Sequence, residues 1–303
     1  KKNFHNFAGK DGRRKKEVGK MIEQSGLHIS HICDKETVSR SAYYRMQKDP
    51  EINGHDLELK QLINEIASDF PFYGYRRMTK ELQNRGEQIN HKKVLEIMRK
   101  NNLLCRRKRA FKPVTTNSNH SFKVYPNLAK DTEVTGLNQL WVADITYIRL
   151  PRGFAYLAAI LDLFSRKCVG WHLSKDIDTC LTLTALNRAI AARQHLGLSN
   201  LIHHSDLGVQ YASTEYVKKL EELGIKISMS RKGNVYDNAF AESFNKTLKV
   251  EEVYINDYET FDDALKNIKR FIEEVYNEKR LHSSIGYVSP NKFEREVLNI
   301  TLT

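Results

Sequence analysis

The 303-residue chain predicts an α/β domain with a mixed sheet, preceded by an all-α, basic region. Three observations carry this. Apolar runs beginning at Leu140, Phe154 and Cys168 are joined by connections short enough for antiparallel hairpins. After them, helical and strand-like patterns alternate, as in α/β domains. Ahead of residue 130 the apolar spacing is helical, and 28 Lys and Arg stand against 14 Asp and Glu.

In chain order, residues 1–20 carry Arg13-Arg14-Lys15-Lys16 without apolar periodicity and read as a flexible basic lead-in. From Val18 to about Lys48 the spacing suits two short helices, either a helix-turn-helix or a helical pair that touches no DNA. Residues 51–110 read more clearly. Leu57, Leu59, Leu62, Ile63 and Ile66 share one helical face, Phe70 to Arg77 turns the chain, and a second helix runs from Met78 to Asn84. After the turn Arg85-Gly86-Glu87, Asn90 caps a third helix from His91 to Lys100 whose Lys92 and Lys93 lie off its apolar face. Helix, helix, tight turn and basic helix fit a trihelical DNA-binding unit, with Arg76, Arg77, Lys92 and Lys93 as candidate DNA contacts. The rival reading is a bundle that binds protein. Arg106-Arg107-Lys108-Arg109 then opens a linker over 111–135, expected either to lie along a sugar-phosphate backbone or to act as a solvated tether.

The core domain, 136–298, starts with strands ending near Leu150, Phe164 and Leu173. A helix capped by Asp178 or Thr179 follows and stops at Gly197. Next come a strand ending at Asp206, a helix from Ser213 to Leu223, and a short strand from Ile225 to Met229. After the turn at Gly233-Asn234, Asp237 or Asn238 caps a helix whose Phe240, Phe244 and Leu248 share a face. A last helix runs from Phe261 to about Asn277, with Tyr287-Val288-Ser289-Pro290 as a stop.

Composition narrows the class. The net charge of +12 resides in the front, since residues 131–303 hold 21 basic against 23 acidic residues, and a polyanion is the expected partner. Cys33, Cys105, Cys168 and Cys180 lack the spacing of a zinc site or a disulfide framework. No apolar run is long enough to span a bilayer and no signal peptide is evident, so a soluble, intracellular protein without membrane contact is expected.

Three acids stand out. Asp144 interrupts the apolar run Leu140 to Ile148, Asp206 ends a second, and Glu242 lies on a helix with Lys246 and Lys249 at helical offsets of four and seven. Acids in or at the end of core strands need partners, and a shared divalent cation is one. Asp162 reads as structural, partnering Arg166. His204 could orient Asp206 or a phosphate.

The order strand-Asp, strand-Asp, helix-Glu resembles the DDE transposases and retroviral integrases of the ribonuclease H-like superfamily. His204-Ser205-Asp206-Leu207-Gly208-Val209-Gln210-Tyr211, Asp237 to Phe244, and Tyr276-Asn277 with Arg280, His282 and Tyr287 to Pro290 narrow the resemblance to the catalytic protein of the IS-three family of bacterial insertion sequences; Phe72 to Arg109 resembles that family's helix-turn-helix. The resemblance implies a ribonuclease H-like core that nicks DNA at the element's terminal repeats and joins the 3′ ends to target DNA. It implies two Mg²⁺ or Mn²⁺ ions about 3.5 to 4 Å apart, Asp144 bridging them and Asp206 and Glu242 each holding one. Lys249 matches the family position that meets the terminal DNA, with Lys246 beside it. A homo-oligomer on DNA, an upstream-frame partner or fusion, and a bacterial cytoplasmic, nucleoid-associated location are implied as well. A DNA-binding regulator, or a nuclease without strand transfer, is the alternative.

Overall fold

The computed structural model describes residues 54–105, 122–130, 132–231 and 238–301. Outside them lie the lead-in and first helical pair, Arg106, Arg107, Lys108 and Arg109, most of the linker, the Gly233-Asn234 turn and Asp237. The chain divides into two compact units, Lys1–Ile63 and Asn64–Thr303. The first unit's described residues are the opening turns of helix α1 (Gly54–Asp69).

In the second unit, α2 runs over Tyr75–Asn84, so Arg76 and Arg77 sit inside the helix rather than in the turn ahead of it. Gly86 has φ 98°, a conformation that favours glycine, and lets the chain turn toward α3 (His91–Lys100). The Asn90 side chain accepts from the Lys92 amide at 2.9 Å and caps α3 as expected. Both helices bury an apolar stripe, Met78 and Leu82 from α2, Val94, Ile97 and Met98 from α3.

The core is a five-stranded sheet in the order β3-β2-β1-β4-β5. β1 (Leu140–Arg149), β2 (Phe154–Asp162) and β3 (Cys168–Ser174) form the antiparallel meander. Helix α4 (Thr179–Arg193), capped by Asp178, crosses over and returns the chain as β4 (Ile202–Ser205), parallel to β1. Two helices follow where one was expected, α5 (Val209–Ala212) and α6 (Thr214–Glu222); Gly208 and Ser213, both extended, bracket the first. β5 (Lys226–Met229) then pairs parallel to β4.

Strand alternation divides the core in two. Trp141, Ala143 and Ile160 face α4 and α6, with Leu186 and Leu220. Val142, Leu157 and Ala159 face α7 (Ala239–Leu248) and α8 (Phe261–Arg270). In α7 the buried stripe is Ala241, Phe244 and Leu248, whereas Phe240 is 48% exposed and outside it. Burial of Phe244 and Leu248 stabilises the docking by ~2 kcal/mol each. Both helices relax into a wider π-helical turn, Lys249–Val253 after α7 and Phe271–Tyr276 after α8.

Pro290 does not stop a helix but starts one, α9 (Pro290–Thr301), where its missing amide is tolerated. Glu294 of α9 is buried and bonds Arg193 of α4 and, at 3.1 Å, Lys167, fastening the C-terminal helix to the core.

Candidate active site

The register of the central strands brings the two aspartates together. β1 and β4 pair as Leu140 with Ile202, Trp141 with His203 and Val142 with His204. Two residues beyond the last of these pairs stand Asp144, inside β1, and Asp206, just past the end of β4, near enough that the charge of Asp206 acts on the Asp144 carboxyl. Asp144 lies on the face that carries α7, where Asn245 reaches it. Asp206 is the first residue beyond β4, and its Oδ1 accepts from the Gly208 amide at 2.9 Å, which fixes the carboxylate where the chain turns away.

Helix α7 is held over Asp144 by two side-chain amides. Asn238 Nδ2 donates to the Ala143 carbonyl at 2.9 Å, and Asn245 Nδ2 donates to Asp144 Oδ2 at 2.8 Å. Asn238 thus occupies the N-cap position without bonding the helix's own amides. From Asn238, the helical offsets four, seven and eleven reach Glu242, Asn245 and Lys249, so one stripe presents two positioning amides, a carboxylate and an ammonium group. Glu242 is exposed and Lys249 partly buried, its Nζ 3.9 Å from the centre of the Tyr147 ring.

Among the described residues, no three His, Cys, Asp or Glu side chains are gathered closely enough to form a metal cage. The charges are nonetheless coupled. Burial first, then repulsion from Asp206 and, more weakly, Glu242, pushes the Asp144 carboxyl up to about 8. Burial lowers Lys249, while Asp144 opposes that shift. The Tyr211 phenol, buried and without a hydrogen-bond partner, is driven up by burial, by Tyr216, and by Asp144 and Asp206. A partly buried carboxylate, flanked by two others and held well above the usual carboxylate range, suits a hard divalent cation: oxygen donors and uncompensated negative charge are what Mg²⁺ requires.

Other expected site residues divide. The His204 ring nitrogens Nδ1 and Nε2 contact the hydroxyls of Ser228 (2.8 Å) and Ser230 (3.1 Å). Asp162 is structural, but its bonds are to the amides of Asn138, Phe164 and Ser165 rather than to the Arg166 guanidinium, which lies 4.2 Å from the Phe240 ring centre. Arg76, Lys92 and Lys246 are exposed, and Lys93 and Arg77 partly buried. Arg77 turns inward. Sequence reasoning missed Asn245, Gly208 and Tyr211 and gave Asn238 only a capping role; the helical offsets of the two asparagines from Glu242 were the available signal.

The integrase core domain family matches residues 135–235 and again 223–290, and the HTH-like domain family matches 55–111. The chain is 38% identical over 269 residues to the insertion element IS600 uncharacterized 31 kDa protein of Shigella sonnei, covering 88% of this chain and 98% of that one. It is 37% identical over 281 residues to the transposase InsF for insertion sequence IS3A of Escherichia coli (strain K12), covering 91% and 96%. Among solved structures, a simian T-cell lymphotropic virus intasome in complex with the PP2A regulatory subunit B56 gamma aligns with TM-score 0.43 and 19% identity, over 76% of this chain and 73% of that one. With an HTH-like domain, an integrase core and 37% identity to the InsF transposase over 91% of its length, the chain belongs to the IS3 family of insertion-sequence transposases.

Proposed function

We propose that this transposase nicks DNA at the ends of an insertion sequence and joins the freed 3′-hydroxyls to target DNA, with Asp144, Asp206 and Glu242 as its catalytic acids. The observation that supports the reading is the electrostatic action of Asp206 and Glu242 on the Asp144 carboxyl, with the Glu242 helix tied to the Asp144 strand by Asn238 and Asn245. These three acids would hold Mg²⁺ or Mn²⁺, two ions per site, which when bound lower the pKa of the attacking water or hydroxyl and offset charge on the phosphate. Asn245 orients the Asp144 carboxylate, and the Gly208 amide orients that of Asp206. Lys249, steadied against Tyr147 on the Glu242 stripe, binds a phosphate of the terminal strand, and exposed Lys246 extends that contact by one helical turn. In the HTH-like region, Arg76, Lys92 and Lys93 contact the duplex of the terminal repeat, joined by Arg106, Arg107, Lys108 and Arg109 of the basic run. The working form is a homo-oligomer that brings two ends together, with an upstream-frame product as partner or fusion.

A labelled terminal-repeat duplex incubated with Mg²⁺ tests this. Nicked and joined strands are expected from the wild type and from none of Asp144→Asn, Asp206→Asn or Glu242→Gln, all three still binding DNA. Nicks without joined strands would make the protein a nuclease. Binding without any product would make it a regulator.

A further inference from the structure

Beside Asp144 and Glu242, on the face of the sheet that carries α7, lies a cavity of about 260 Å³ that the catalytic reading leaves unused. Its walls come from separate segments: Arg77 of α2, Arg166 of the β2–β3 turn, Ser243 and Thr247 of α7, and Arg280 and His282 beyond α8. Arg280 is compensated, bonding both Glu251 oxygens at 2.7 Å. Arg77 and Arg166 are not; among the described residues neither forms a salt bridge, and the Nε of each is buried without a hydrogen-bond partner. One carboxylate, Asp162, also lines the cavity, but its oxygens are engaged by backbone amides. Even counting Asp162 and Glu251, three guanidiniums face two acids. The surplus registers on His282, whose imidazole is pushed down to about 2 by burial and then by Arg280, Arg77 and Arg166.

Buried guanidinium donors with no acceptor, rimmed by hydroxyls, are the complement of a phosphate. We propose that this cavity is a phosphodiester-binding site that holds a backbone phosphate of the DNA strand leading away from the catalytic acids. Its position argues for DNA rather than a free anion. Ser243 directly follows Glu242, and Val142 in the cavity wall lies two residues before Asp144, so a strand crossing the acids continues over the cavity mouth. The identification of the acids is the reading it rests on; the arginine pocket itself does not depend on metal.

The test is duplex binding by fluorescence anisotropy over a salt series in Ca²⁺, with thermal unfolding as a check of fold. Arg166 sits at φ 65°, where Asn is tolerated, so Arg166→Asn removes the guanidinium with least backbone strain. Ser243 is exposed, so Ser243→Asp places a carboxylate at the rim without disturbing the core. Both variants should lose about tenfold in affinity while unfolding like the wild type, and Arg166→Asn should reduce the salt slope by about one counterion. Affinity within twofold of wild type for both overturns the proposal. So does a pocket filled by inorganic phosphate alone, seen as a phosphate-dependent rise in wild-type melting temperature, lost in Arg166→Asn, with duplex binding unchanged. The two readings fail separately: nicking abolished by Asp144→Asn with normal Arg166→Asn binding removes only the pocket. Weakened Arg166→Asn binding, in a wild type that never nicks, removes only the catalytic assignment.

Discussion

Replacing Asp144 by Asn should stabilise the metal-free protein while abolishing its chemistry. The folded carboxyl titrates near 8 and the unfolded one near 3.8, so between those values the native state keeps a proton that the unfolded state has released. Stability therefore falls as pH rises through this window. At pH 7 the full shift corresponds to ~4 kcal/mol, and solvent relaxation at a partly exposed carboxylate leaves ~2 kcal/mol. The Asn side chain removes that penalty and still accepts the bond from Asn245 Nδ2. Thermal melts in EDTA at pH 5 and pH 8 measure it. The wild type should melt lower at pH 8, and the variant should gain about 4 to 8 °C over it there while losing this component of the pH slope. Mg²⁺ at pH 8 should raise the wild-type midpoint and leave the variant's unchanged. A variant that melts at or below the wild type at pH 8, or keeps its pH slope, would refute the electrostatic account of the site.

Gly208→Ala should lower nicking at least tenfold with little change in stability. Its backbone (φ −66°) admits alanine, but the new Cβ would stand 2.9 Å from Asp206 Oδ1 and turn that carboxylate aside; wild-type rates would show the Asp206 orientation to be irrelevant. Glu294→Ala leaves Arg193 buried without its acid and should cost ~3 kcal/mol in urea unfolding, with a loss below ~1 kcal/mol contradicting the role given to that pair. Gly170→Ala should yield little folded protein, because a Cβ there would lie 2.4 Å from the Ala185 carbonyl oxygen and 2.6 Å from Ala189 Cβ; a soluble variant melting within 2 °C of wild type would sink this.

Much of the core was legible because its signals are local. Apolar runs with short turns specify the meander, Asn90 and Asp178 cap the helices they precede, and acids in or ending apolar strands single out Asp144 and Asp206 as candidates before any register is known. What escaped depends on what a side chain faces. Asn245 looks like an indifferent helix residue, and Asn238 no more than a cap, until β1 is beneath them. Phe240 follows the apolar spacing yet stays exposed, because the sheet covers only the Ala241 side of α7, and the Arg166 guanidinium takes up its ring instead. The contacts of His204 with Ser228 and Ser230 depend on the pairing of β5 with β4, which no residue near His204 in the chain discloses. Pro290 reads as a terminator from sequence because proline both ends and begins helices, and only the following turns distinguish the two.

The two asparagine amides have a consequence for how such enzymes can vary. Because they tie the Glu242 helix directly to the strand bearing Asp144, the third acid's placement does not depend on the length of chain that delivers it. Length changes between Arg231 and Asn238, which leave α5, α6 and β5 intact, should not detune the chemistry, whereas a single insertion between Asn238 and Asn245 would rotate one tether about 100° out of reach. Tolerance to length change should therefore end abruptly at Asn238.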